Sequence, residues 1–212
     1  MKNAMLVMIL LLTAACSASS APRNTGVYLL LDTSGTYRAE LEKAQHVILF
    51  TLSRLASSDS FAVASIDTGS FSEKDIVAKA TFDDRPTTAN LQKRAFAGKV
   101  KDFVTGSRSS SHTDITGGLL QAIEFLNEKG SGRKAILIFS DLKEDLDDGY
   151  VRDVPLDFKG FEVVALNVTK LRSDNYDPRE YLDRVDAWRS RVERGGGNWR
   201  VINDLERLDG LL

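Results

Sequence analysis

Cysteine, histidine and proline are scarce in this chain, with one, two and four among 212 residues. The single cysteine, Cys16, excludes a disulfide within the chain. No charge of one sign dominates, because 28 lysines and arginines face 30 aspartates and glutamates. The basic surface that nucleic-acid binding requires is therefore missing. No apolar run approaches the roughly 20 residues of a membrane-spanning helix. There is no G-x-S-x-G nucleophile elbow, and no acidic loop has the EF-hand spacing. What remains is the composition of an ordinary globular protein, which excludes disordered and collagen-like classes. The length suits one domain with a full core.

The N-terminus follows its own pattern. Met1-Lys2, an apolar run from Ala4 to Leu12 and the small residues Thr13-Ala14-Ala15 read as a secretory signal peptide over residues 1–15. Cys16 follows directly. This resembles a bacterial lipoprotein signal, with Thr13 where leucine is usual, and implies that Cys16 becomes the lipidated first residue of the mature protein. Ser17 after that cysteine is similar to the outer-membrane sorting signal of Gram-negative lipoproteins, which implies the cell envelope and the periplasmic face of the outer membrane. Residues 16–25 are small and polar, as expected of a tether. Ser17 to Thr25 reaches at most about 30 Å, so the domain over residues 26–212 is expected close to the bilayer.

Beyond the tether, strand and helix patterns alternate. Val27–Leu31 is a continuous apolar run ending at Asp32, as in a buried parallel strand. Tyr37–Ala56 then carries Leu41, Gln45, Ile48, Leu52 and Leu55 on one helical face. Asp59–Asp67 and Asp75–Phe82 read as a hairpin across Thr68–Lys74, its second strand at an edge. A helix opening at Pro86 is expected to bury Leu91, Phe96, Val100 and Phe103. Asp114 can cap the next helix, which carries Ile115, Leu119, Ala122, Ile123 and Leu126 and stops at Gly130. Ala135–Phe139 is the second fully apolar strand, ending at Ser140-Asp141, and the acidic stretch Lys143–Gly149 reads as a solvated loop. Phe161–Val168 is a third buried strand. Asp177-Pro178-Arg179-Glu180 has the form of a capped helix start, with Tyr181, Val185, Trp188 and Val192 as its stripe, and Trp199–Ile202 is a last short strand. The order predicts an α/β fold: a three-layer, open, mostly parallel sheet with helices on both faces and one antiparallel edge strand.

Sites in such sheets form at the carboxyl ends of the strands, where Asp32 and Asp141 end the two most apolar runs. Asp32-Thr33-Ser34-Gly35-Thr36 places a carboxylate and two hydroxyls at alternate positions, and Thr113 supplies another hydroxyl from a third loop. Oxygen donors without Cys or His suit a hard divalent ion such as Mg²⁺, Mn²⁺ or Ca²⁺. Together these residues resemble the von Willebrand factor A domain and its metal-ion-dependent adhesion site, over residues 26–212. The resemblance implies that Ser34, Thr36 and Thr113 offer hydroxyl oxygens and that Asp32 and Asp141 hold the ion directly or through water. An acidic side chain of a protein partner would complete the coordination, so the chain would bind rather than catalyse. Thr36 stands where the family has serine, Ser111 and His112 where glycines precede the threonine, and Leu142 where glycine is common. A metal-free scaffold of the same fold keeps Asp32, Ser34 and Thr36 as turn and capping residues.

Two catalytic readings compete. Asp32-Thr33-Ser34-Gly35-Thr36 is also similar to the nucleophile loop of haloacid-dehalogenase phosphohydrolases, with Asp32 as the phosphorylated residue, Ser140 as a second strand-end hydroxyl, and Lys143 and Asp147-Asp148 to be recruited. A Ser34, His112 and Asp141 triad can be written, but both histidines, His46 and His112, read as solvated.

Overall fold

The structure, a computed structural model, describes residues 22–35, 37–66, 72–106, 110–146 and 154–212. The signal segment, Cys16, Thr36 and Asp147-Asp148 lie outside the described residues. The elements are β1 (Thr25–Asp32), α1 (Leu41–Arg54), β2 (Ser60–Ile66), β3 (Ile76–Thr81), α2 (Pro86–Gly106), α3 (Ile115–Glu128), β4 (Arg133–Phe139), β5 (Phe161–Leu166), α4 (Arg179–Arg194) and β6 (Asn198–Ile202). The six strands form one sheet in the order β3-β2-β1-β4-β5-β6. Every neighbouring pair is parallel except β2 and β3, so the expected antiparallel strand lies at the edge.

The core follows from the two-residue period of β1. Val27, Leu29 and Leu31 join α1 and α2 in one buried cluster that includes Leu41, Ile48, Phe96 and Val100. Tyr28 and Leu30 point the other way, into a cluster with Ile115, Leu119, Val185 and Trp188 of α3 and α4. A strand covered on both faces must be apolar at every position, which is why its sequence reads as an unbroken run. Across this core the Tyr28 hydroxyl reaches Gln121 Oε1 at 2.5 Å, tying β1 to α3.

Local departures from the sequence reading have physical causes. Helix α1 begins at Leu41 after a 3-10 turn over Arg38–Glu40, because Tyr37 is committed elsewhere: its hydroxyl donates to the Asn167 carbonyl at 2.5 Å. In α2 the buried face is Ala89, Phe96 and Val100. Leu91 lies two residues from Ala89, about 200° round the helix, and is 61% exposed. Asp177 does cap α4 as expected: with Pro178 already helical, its carboxylate accepts the Arg179 N–H at 3.0 Å and also forms a fork with that guanidinium. Pro22–Asn24 are not free tether. The Asn24 carbonyl accepts the Gly132 and Arg133 N–H groups at 3.1 and 3.2 Å, and a Cβ at Gly132 would sit 1.6 Å from the Pro22 carbonyl oxygen. Only glycine admits this approach. The chain thus enters the fold at the amino ends of the strands.

Candidate functional site

The chain leaves β1 first toward β2 on one side and later enters β4 on the other, so the order reverses between β1 and β4. The crevice beyond their carboxyl ends is where such sheets bind ligands. Three loops meet there. Ser34 bridges Ser110, whose N–H reaches the Thr33 carbonyl at 2.9 Å, and Thr113 exchanges both backbone hydrogen bonds with Asp145 at 2.8 and 2.9 Å. The loops after β1, before α3 and after β4 are thereby laced together. The Tyr37 N–H donates to the Ser34 carbonyl at 3.0 Å, fixing the β1 loop just beyond Thr36.

Asp32 is fully buried. One of its oxygens accepts the Ser34 N–H at 2.8 Å and the other the Ser140 hydroxyl at 2.6 Å. Ser140 Oγ in turn accepts the Leu142 N–H at 3.0 Å, so a single serine ties Asp32 to the backbone just after Asp141. Beside this network is a cavity of about 350 Å³ lined by Ser34, Gly35, Thr113, Asp141, Lys143 and Asp145, among others, but not by Asp32. Three of the five expected ligating residues, Ser34, Thr113 and Asp141, therefore share one cavity; Asp32 does not line it and reaches it only through the Ser34 N–H that it holds. Thr36 lies outside the described residues, and so does Cys16. Among the described residues no three His, Cys, Asp or Glu side chains gather, so any ion here would depend on hydroxyls as well as carboxylates.

Burial pushes the Asp141 carboxyl above the usual carboxylate range, and the neighbouring charge of Asp32 adds to this. The Lys143 N–H, which Asp141 accepts at 2.9 Å, and the charges of Arg184 and Lys143 work against the shift. Two buried carboxylates close enough to repel are a site that a divalent cation would neutralise. The Thr113 residue is 3% exposed, and its hydroxyl makes no hydrogen bond among the described residues. The donor set, two carboxylates with Ser34 and Thr113 hydroxyls, fits a hard ion.

Asp114 caps α3, accepting the Gly117 N–H at 2.6 Å. A Cβ at Gly117 would lie 2.4 Å from the Asp114 carboxylate, so the cap depends on that glycine. This frees Thr113, one residue earlier, from the capping role. Leu142 is left-handed, with φ of 65°. Its carbonyl accepts the Trp188 indole N–H at 3.0 Å, and its buried side chain compensates a backbone that favours glycine.

Other contributors carry no local sequence signal. Arg184 of α4 donates to the Asp141 carbonyl at 2.8 Å and forks onto buried Asp174 at 2.9 and 3.2 Å. Glu144 does not sit in a solvated loop: it accepts the Thr116 N–H at 2.7 Å at the start of α3. His112 is half-buried rather than solvated and lies outside the cavity lining, so the structure does not gather Ser34, His112 and Asp141 as a triad; His46 is exposed.

A von Willebrand factor type A structure from Catenulispora acidiphila covers 89% of this chain and 41% of its own length at 15% identity, with a TM-score of 0.54. The pilus adhesin SpaC from Lactobacillus rhamnosus GG, in an open conformation, covers 89% of this chain and 29% of its own length at 12% identity, with a TM-score of 0.57. The chain has a von Willebrand A-like fold. It spans less than half the length of either protein. No family model matches the sequence, and no curated protein does. Among the described residues no helix is long and apolar enough to cross a membrane.

Proposed function

We propose that this chain is a lipid-anchored binding module of the bacterial cell envelope that captures a protein partner through a divalent cation, Mg²⁺ or alternatively Mn²⁺ or Ca²⁺. Asp32, Ser34, Thr36, Thr113 and Asp141 would hold the ion. The observation that carries this reading is the cavity at the switch point: Ser34, Thr113 and Asp141 line it, Asp32 holds the Ser34 N–H, and the Thr113 hydroxyl makes no hydrogen bond among the described residues. When bound, the ion would supply a Lewis-acidic position for an acidic side chain of the partner. The protein's own residues fix that position. Ser140 and the Ser34 N–H orient Asp32, while Arg184 and the Lys143 N–H hold the Asp141 loop.

The same geometry argues against an aspartyl-phosphate enzyme. A nucleophile must meet its substrate in direct line, which the full burial of Asp32 prevents; in the ion site Asp32 would act at one remove, through water and through the Ser34 loop whose N–H it holds. The anchor would be the lipidated Cys16, with residues 17–21 as the segment between it and the pinned Pro22. Five residues reach at most about 18 Å. Because the chain enters at the amino ends of the strands, the cavity at the opposite ends would face away from the membrane. The periplasmic face of the outer membrane is the location that Ser17 suggests.

Isothermal titration of Mg²⁺, Mn²⁺ and Ca²⁺ into the chelator-treated full chain in detergent tests the reading. One saturable site that Asp141→Ala abolishes is expected. Absence of saturable binding with all three ions overturns the metal-mediated mechanism and leaves a scaffold of the same fold.

A further inference from the structure

A second, larger cavity of about 730 Å³ continues from the first. The two share Gly35, Asp141, Lys143 and Leu171, and the second extends over the loop after β5 to Thr169, Lys170 and Arg172. Its character differs. Hydroxyls and the carboxylates of Asp141 and Asp145 predominate in the first, with Lys143 at the shared edge, whereas the second adds Lys170 and Arg172 to Lys143, three cations in all. All three are exposed, and none forms an ion pair among the described residues. The loop that carries two of them is firmly held: buried Asp174 accepts the Leu171 N–H at 2.7 Å and the Arg184 fork, and the same guanidinium holds the Asp141 carbonyl. The basic half of the groove is therefore fixed relative to the acidic half.

Resting on the ion-site reading above, we infer that the partner segment is an acidic peptide with two carboxylates, one for the ion and a second for Lys143, Lys170 and Arg172. An ion alone accepts any carboxylate and discriminates little. A second anionic group placed against three exposed cations supplies selectivity, because charge complementarity across an interface rewards the right partner and penalises the wrong one. A concave groove suits a peptide better than a planar lipid surface.

The test uses fluorescence anisotropy on the full chain in detergent, with two labelled glycine-serine peptides carrying one or two glutamates. In Mg²⁺ the two-glutamate peptide is expected to bind about tenfold tighter, the scale of two partly exposed charge pairs. Lys170→Glu with Arg172→Glu should erase that preference while the Mg²⁺-induced rise in melting temperature persists. Equal affinity for the two peptides, or a preference that survives the charge reversal, overturns the inference while the Mg²⁺-induced rise still upholds the ion site. Loss of both the Mg²⁺ rise and all peptide binding instead overturns the ion site, and the inference with it. Binding to phosphatidylglycerol vesicles that persists in chelator and displaces the peptide would assign the basic half to a lipid surface and also overturn it.

Discussion

Arg184 joins the two parts of the site, and replacing it with methionine is a severe test. Its guanidinium makes three charge-assisted hydrogen bonds, to the Asp141 carbonyl at 2.8 Å and to Asp174 at 2.9 and 3.2 Å. Its side chain is 13% exposed and that of Asp174 is fully buried. Methionine keeps much of the aliphatic volume but leaves Asp174 charged and buried, with only the Leu171 N–H and the nearby charge of Lys170 in compensation. Breaking a buried pair in this way costs roughly 3–5 kcal/mol. The retained donor places the expected cost near the lower end, about 3 kcal/mol, or about 6–12 °C for a chain of this length. The pH dependence separates this mechanism from simple loss of packing. Arg184 holds the Asp174 carboxyl below the usual range, so its stabilising contribution is complete above the unfolded carboxylate pKa of about 3.9 and is lost as the pH falls below that. Without Arg184, burial raises the Asp174 pKa, and the native variant takes up a proton before the unfolded chain does. The cost of Arg184→Met should therefore shrink between pH 7 and pH 4. Urea unfolding at both values, with Arg184→Met/Asp174→Asn recovering about half the loss at pH 7, is the assay. A cost below about 1 kcal/mol, or one independent of pH, would refute the pairing as the loop's anchor.

Thr113→Val should leave the stability of the chelated chain within about 0.5 kcal/mol, since the hydroxyl it removes bonds nothing among the described residues, yet it should reduce the Mg²⁺-induced shift in a thermal melt. Ser140→Ala strips a donor from Asp32 and an acceptor from the Leu142 N–H, and equilibrium unfolding should record a loss of about 1–3 kcal/mol. Gly117→Ala drives a methyl group into the Asp114 carboxylate; a loss of about 1–2 kcal/mol, with faster amide exchange confined to the first turn of α3, is expected.

The strands of this fold are legible in the sequence because burial on both faces forces unbroken apolar runs such as Val27–Leu31 and Ala135–Phe139. Their terminal aspartates could be placed at one edge for the same reason. Asp114 was readable as a cap because the signal is local. Leu91 misled because α2 packs only a narrow face, and one exposed leucine costs little there. Arg184, Asp174 and Glu144 were illegible for a different reason. Their partners are supplied by tertiary folding, with Arg184 and Asp141 43 positions apart, and no period in the sequence encodes such a pair. The basic half of the groove was hidden likewise, since Lys143 and Lys170 come together only through the β4 and β5 register.

The account turns on whether an ion occupies the cavity lined by Ser34, Thr113 and Asp141. The most direct measurement is a thermal melt of the full chain in detergent, stripped with chelator and repeated in millimolar Mg²⁺, Mn²⁺ and Ca²⁺, alongside Asp32→Ala and Asp141→Ala. A ligand at a hundredfold excess over its Kd contributes about 2.7 kcal/mol, which corresponds to a rise of about 5–11 °C at this chain length. The account predicts such a rise with at least one ion in the unmodified chain and none in either variant. A melting temperature that no ion moves, or a rise that both variants retain, would contradict it.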